Sequence, residues 1–166
     1  MSRPEPAPEG VTPERVAPFR RIVATTDFTP GSKRAFRRAL ALARALGAEL
    51  HLLHVACQPN LRSVFFVRVS GDAMERLCTR ARQRARRRTE DFLRGEDLEG
   101  VRLVPHVVTG HPAREIVGYA DRVGADLIVL GERPESRSQH LLQHVAFESV
   151  GERVRRTAPC SVLTVR

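Results

Sequence analysis

Two residues in this chain are placed where ligand chemistry commonly occurs: Asp27 and Gly131, each directly following a short apolar run typical of a buried strand. In open α/β sheets, ligands bind beyond the carboxyl ends of the strands. A carboxylate there can accept a hydrogen bond from an amino or hydroxyl group, and a glycine lets the backbone approach a ligand. Each residue also has a structural interpretation, because Asp27 can hold a turn or cap a helix and Gly131 can simply end a strand.

The elements around these residues alternate between strands and helices. Strands are predicted at 21–26, 49–55, 101–108, 125–130 and 160–165, and helices at 35–46, 73–93, 112–123 and 138–156. This alternation predicts an open five-stranded parallel sheet of the α/β class, with helices on both faces. The loops that carry Asp27 and Gly131 meet if the strand order is 3-2-1-4-5. Residues 1–18 contain five prolines and several charges, which predicts a disordered or loosely packed tail before one domain at 19–166.

Composition excludes several classes of protein. A length of 166 residues suits one domain, and neither a membrane span nor the apolar core of a signal peptide is visible, so we expect a cytoplasmic protein. Three cysteines without CxxC spacing indicate neither a disulfide framework nor a zinc site. His140 and His144 are spaced i, i+4 but lack an evident third ligand, so no metal is predicted. Ser136 and Ser138 lack a nucleophile-elbow context, and hydrolytic catalysis is not supported.

An ordered set of segments gives the chain a family resemblance. The segments are Ile22-Val-Ala-Thr-Thr-Asp-Phe-Thr29, the stretch from Ala39 to Val55, Gly110-His-Pro112, Ala125-Asp-Leu-Ile-Val-Leu-Gly131 and Ser149-Val-Gly-Glu-Arg-Val154 with the closing strand. Together they resemble the universal stress proteins. The resemblance covers roughly residues 20–166. It implies a Rossmann-like sheet of order 3-2-1-4-5 and often a homodimer made through the last strand, here 160–165.

In nucleotide-binding members the resemblance also implies an ATP or AMP site. The aspartate and a valine backbone after the second strand meet adenine there, matching Asp27 and Val55, and a G-x2-G-x9-G-[ST] loop holds the ribose and phosphates. The residues of this chain that match the site are Thr26, Asp27, Val55, Leu130, Gly131, Ser149 and Val150.

The phosphate loop of this sequence departs from that pattern. The second glycine is Pro134, which has no N–H, and the third is Glu148, whose charge would oppose a phosphate at about 4 Å by up to about 4 kcal/mol. Gly131 and Ser149 lie 18 positions apart (149 − 131), about four more than in the family motif and close to one helical turn. We therefore expect that the loop has become an extra turn of the fourth helix. Arg133 and Arg137 are candidate anion contacts.

These departures predict a stress-response binding or regulatory module with a degenerate nucleotide site, weak or no ATP binding and no catalytic turnover. The alternatives are an adenine-nucleotide-binding member with slow hydrolysis and an anion- or nucleic-acid-binding protein.

The hypothesis of an anion- or nucleic-acid-binding protein depends on a row of arginines. The chain carries a net charge of +9, and its only lysine, Lys33, stands against 27 arginines. The predicted second helix concentrates them in a stripe: Arg76, Arg80, Arg84, Arg87 and Arg88. With no tryptophan and Tyr119 as the single tyrosine, base stacking is poorly supported. A solvated face or a patch for an acidic protein partner is favoured over nucleic acid.

Overall fold

The computed structural model describes residues 19–57, 71–132 and 149–166. Predictions for the tail, for residues 58–70 and for residues 133–148 lie outside these ranges. The described residues form five strands and four helices: β1 Arg21–Thr26, α1 Pro30–Leu46, β2 Glu49–Cys57, α2 Gly71–Leu93, β3 Leu103–Gly110, α3 Pro112–Val123, β4 Leu127–Gly131, α4 Val150–Thr157 and β5 Ser161–Val165.

The strands form one parallel sheet in the order β3-β2-β1-β4-β5, which confirms the predicted class and strand order. The central strand β1 pairs with β2 on one side and with β4 on the other, with Thr26 opposite His54 and Ala24 opposite Val129. The loop after β1 and the end of β4 therefore lie side by side at the carboxyl edge, as the sequence required for a common site.

Alternation along the strands divides the core between the two faces of the sheet. Ile22 and Ala24 of β1 pack with α1 and with Phe92 of α2. Val23 packs on the opposite face, against α3 and Val154 of α4. Successive side chains of a strand point to opposite faces, so a sheet covered on both sides needs the continuous apolar run that the sequence shows here.

The helix next to the site begins and ends on local signals. The side chain of Thr29 accepts a hydrogen bond from the N–H of Ser32, and Pro30 occupies the first turn, where its missing N–H costs nothing. Gly47 ends α1 in the left-handed conformation at φ 64°, as its position predicted. Three residues therefore separate the end of β1 from the start of α1, which lies directly at the carboxyl edge.

The prediction of one long helix over 138–156 is wrong at its centre. Ser149 is extended, with φ −65° and ψ 155°, and α4 begins at Val150. Its side chain accepts from the N–H of Glu152 while the Glu152 carboxylate accepts from the N–H of Ser149, which is a capping box. The signal S-x-x-E was present at 149–152. Leucine and valine periodicity upstream of it suggested a continuous helix, whereas the capping box sets a helix start.

Candidate functional site

Thr26 lies at the end of β1, and its side chain forms hydrogen bonds with the turn and the helix start that follow. Its side chain is buried, its Oγ1 lies 3.1 Å from Ser32 Oγ, and it accepts a hydrogen bond from the N–H of Phe28 at 2.9 Å. The Thr26 carbonyl oxygen lies 2.7 Å from Nδ1 of His54 on the neighbouring strand. Thr26 therefore shapes the site by fixing the start of α1, and its hydroxyl faces the protein.

Asp27 is exposed at the carboxyl edge of the sheet. Its Oδ1 accepts hydrogen bonds from the N–H of Thr29 at 3.1 Å and from the Thr29 hydroxyl at 2.5 Å. These bonds close the turn between β1 and α1, so the turn-holding interpretation of Asp27 is correct. An exposed carboxylate held in this way has a fixed direction, which is what recognition of an amino group requires.

Gly131 is the last residue of β4 and lies against the beginning of α1. A Cβ at this position would stand 2.7 Å from the carbonyl carbon of Gly31 and 2.7 Å from the nitrogen of Ser32. Reciprocally, a Cβ on Gly31 would stand 2.9 Å from the carbonyl oxygen of Glu132. The space that glycine leaves at position 131 is filled by α1, so the expectation that this glycine admits a ligand gives way to a packing requirement.

Val55 and Leu130 lie on the opposite face of the sheet from α1. Both side chains are buried in the cluster that faces α3 and α4. Since Thr26 pairs with His54, Val55 follows that pair at the same end of the sheet as Asp27. Its side chain belongs to the core.

Ser149 and Val150 stand at the beginning of α4. Both the hydroxyl and the N–H of Ser149 are used by Glu152, at 3.1 and 2.9 Å. The hydrogen bond from the Ser149 N–H lowers the pKa of the Glu152 carboxyl below its usual value, so this group is an anion at neutral pH. Pro134 and Glu148, together with Arg133 and Arg137, lie outside the described residues.

An aromatic and cationic cluster at the same edge was missed by the sequence analysis. The ring of Phe28 lies 4.2 Å from that of His54 and 5.8 Å from that of Phe92, centroid to centroid, and the guanidinium of Arg88 covers Phe28 at 4.4 Å. Phe28 has φ 64°, a left-handed conformation that costs a non-glycine residue about 1–2 kcal/mol. The signal for it was slight: an aromatic residue directly after the aspartate.

His54 connects this cluster to the turn. Burial lowers the pKa of its imidazole; the Thr26 carbonyl opposes that shift, Arg88 adds to it and Asp27 opposes it. Asp27, Phe28, His54 and Arg88 are therefore close enough to influence one another at the mouth of the candidate site.

The predicted arginine stripe is exposed along its whole length: Arg76, Arg80, Arg84, Arg87 and Arg88. Beside it, Arg82 donates to the hydroxyl of Thr109 at 3.3 Å. His140 and His144 fall outside the described residues, and within those residues no cluster of histidine, cysteine and acidic side chains is suited to a metal. Among the helices in the described ranges, none is both long and apolar enough to cross a bilayer.

Comparison with known proteins decides the family. A model described as the universal stress protein family matches residues 18–166. The chain belongs to the universal stress protein family. Universal stress protein G of Shigella flexneri is 33% identical over 135 residues, which cover 81% of this chain and 89% of the relative. Universal stress protein MJ0531 of Methanocaldococcus jannaschii is 27% identical over 148 residues, covering 89% of this chain and 82% of the relative.

Solved structures agree on the fold. The hypothetical protein MJ0577 superposes with a TM-score of 0.69 at 25% identity, covering 90% of this chain and 96% of its own. A universal stress protein solved in complex with cAMP superposes with a TM-score of 0.55 at 24% identity, covering 90% and 98%. The sheet order and the positions of the helices are thus those of the family.

Proposed function

We propose that this universal stress protein is a binding or regulatory module without catalytic turnover, whose nucleotide site is degenerate and holds ATP weakly or not at all. Family membership supports a role in the stress response. The proposal concerns what the module recognises, and it rests on the polar groups at the carboxyl edge of the sheet.

The observation that carries the proposal is the capping box of Ser149 and Glu152. The resemblance assigns the serine at this position to ribose and phosphate, yet its hydroxyl and its N–H are both engaged by Glu152. A carboxylate already neutralises the positive end of α4, which is the feature that attracts phosphate to helix N-termini. A phosphate arriving there would meet an anion, and the N–H groups of Ser149 and Glu152 already donate within the capping box.

The adenine side of the site is better preserved. Asp27 is exposed on a hydrogen-bonded turn, and Val55 follows the Thr26–His54 pair at the same end of the sheet. We therefore expect whatever adenine affinity exists to be independent of the phosphates, so that adenosine, AMP and ATP bind equally weakly.

Isothermal titration calorimetry with ATP and adenosine tests this directly. We expect little or no heat at micromolar protein, and no preference for ATP. A low-micromolar affinity for ATP that is lost with adenosine would contradict the proposal. Release of phosphate that stops on Asp27→Ala would instead identify the slow hydrolase.

Glu152→Gln is the matched variant. Glutamine keeps the capping box because its side chain can still accept from the Ser149 N–H, but it removes the charge. ATP affinity should rise relative to the parent protein while adenosine affinity stays unchanged. Equal ATP affinity in the two proteins would show that this carboxylate does not oppose the phosphates.

We also propose that the protein forms a homodimer through β5. The outer edge of β5 carries neither charge nor proline within Ser161–Val165, and Leu163 is 37% exposed. At the other edge of the sheet, the Leu50 N–H donates to the Arg102 carbonyl, so the backbone carbonyl of Arg102 faces β2. Because backbone groups alternate in direction along a strand, Pro105 of β3 faces outward, where it has no N–H to offer a further strand. A proline on an edge strand disfavours pairing with a further strand, which leaves β5 as the edge available for pairing.

A further inference from the structure

The exposed face of α2 carries a concentration of positive charge with no acidic residue between Arg76 and Thr89. The whole arginine stripe is exposed, and its members recur every three or four residues, which places them on one side of the helix. Arg82 and Arg86 widen the patch. Such a face raises the local positive potential well beyond that of scattered charges.

Some arginines elsewhere in the described ranges are paired with acids. Arg37 contacts Glu96 at 2.9 Å, and Arg166 contacts Glu132 at 2.7 Å. Within the described ranges, no carboxylate forms an ion pair with any member of the stripe. Within the described ranges, the positive charge of the stripe is therefore not neutralised by ion pairs.

An exposed leucine lies beside the stripe. Leu77 is 44% exposed, and it precedes Arg80 and Arg84 by three and seven residues, so it shares their side of the helix. Single-stranded nucleic acids gain much of their affinity from bases stacked on aromatic rings. The described exposed positions of α2 offer no aromatic ring, but they do offer this aliphatic contact. Arginines around an exposed apolar side chain are typical of protein interfaces.

We propose that the arginine stripe and Leu77 form a docking surface for an acidic protein segment that places an apolar side chain among its aspartates and glutamates. Charge complementarity steers the segment to α2, and Leu77 supplies the contact that ions alone do not. This inference is independent of whether a nucleotide binds, since it rests on a different surface.

Fluorescence anisotropy with a labelled peptide of repeating Glu-Glu-Leu tests the surface. Binding should be measurable at low salt and should weaken as the Debye length falls from about 30 Å at 0.01 M to about 8 Å at 0.15 M. The variant Arg80→Glu with Arg84→Glu should lose about tenfold or more in affinity. No binding of the peptide to the parent protein at low salt would overturn the proposal.

The control variant has the same net charge but leaves α2 intact. Arg20→Glu with Arg114→Glu changes two exposed arginines outside the stripe, and it should retain the affinity of the parent protein to within about twofold. Equal losses in the two double variants would show attraction to net charge rather than docking, and would overturn the proposal.

Two further arms separate a protein segment from other polyanions. Leu77→Ala should weaken binding of the Glu-Glu-Leu peptide but not that of a Glu-Glu-Ala peptide. If the parent protein bound both peptides with equal affinity, the proposed role of Leu77 would be overturned. A single-stranded oligonucleotide that bound more tightly than the peptide, and was lost on Arg80→Glu with Arg84→Glu, would overturn the assignment in favour of nucleic acid.

Discussion

Gly31 and Gly131 face each other where α1 begins against the end of β4, so closely that a Cβ on Gly131 would stand 2.7 Å from the carbonyl carbon of Gly31. The contact is between backbone atoms, which cannot turn aside as a side chain could. The position of α1, and with it the turn that holds Asp27, depends on the absence of a side chain at 131.

Gly131→Ala should therefore destabilise the protein. The added methyl group would push α1 away from β4, and overpacking of this kind costs about 1–3 kcal/mol. Urea unfolding followed by circular dichroism measures the change in the free energy of unfolding.

Gly118→Ala is the control for that substitution. Gly118 lies within α3, and a Cβ there would meet nothing within 4 Å. Alanine is the better helix former by up to about 1 kcal/mol, so this variant should be as stable as the parent or more so. A Gly131→Ala protein that unfolded at the parent's urea concentration would show that the contact at 131 is not tight.

The parallel α/β class followed from the sequence, because such a sheet is encoded in short apolar runs and helical periodicity. The strand order, and with it the meeting of the β1 and β4 loops, was implied by the family resemblance. The packing of Gly131 against the beginning of α1 could not be predicted from the sequence. A glycine at a strand end is compatible with a ligand, a turn or a close helix, and only the position of Gly31 distinguishes these. The cluster around Phe28 was not predictable either. The sequence shows that Phe28 follows Asp27, but it does not show that His54 and Arg88, which belong to other elements, contact Phe28.

The guanidinium of Arg88 and the ring of Phe28 make a cation–π contact at 4.4 Å. Arg88→Ala should lower the free energy of unfolding by about 0.5–1 kcal/mol, because an exposed contact of this type contributes that much. It should also disturb the turn after Asp27, since Phe28 holds a left-handed conformation that its ring contacts help to stabilise.

Arg87→Ala provides the comparison, because Arg87 is an exposed neighbour that makes no cation–π contact in the described structure. Its effect should stay within about 0.5 kcal/mol, as for most surface substitutions. If both variants had equal stabilities, the contact of Arg88 with Phe28 would contribute nothing measurable.

A buried histidine makes the stability of the protein depend on pH. His51 is buried, with Nδ1 2.8 Å from the hydroxyl of Tyr119 and Nε2 3.1 Å from Oε1 of Glu49. Burial lowers the pKa of His51, against the opposing charge of Glu49 and with smaller contributions from Arg21 and Arg102. His51 is therefore neutral in the folded protein near neutral pH.

The free energy of unfolding should decrease as the pH falls below about 6.5. The unfolded chain takes up a proton on this histidine at that pH, while the folded chain does so at a lower pH, so protonation favours unfolding across the interval. Burial likewise lowers the pKa of His54 and of His106, which adds to the slope in the same direction. His51→Gln should make the slope shallower, as urea titrations between about pH 7.5 and about pH 5.5 would show; stability that rose on acidification would contradict the prediction.

The last prediction concerns β5 and the homodimer. Leu163 is exposed on the outer strand and lines a shallow groove with Leu42 of α1. If two copies pair along β5, an aspartate at 163 places a charge in the interface, where burial without a partner is costly, and the dimer should dissociate. Light scattering at micromolar concentration should give a dimer for the parent protein and a monomer for Leu163→Asp. Leu46→Asp, at a leucine of similar exposure at the end of α1, should remain dimeric; if it also dissociated, or if the parent protein were a monomer, β5 would not be the interface.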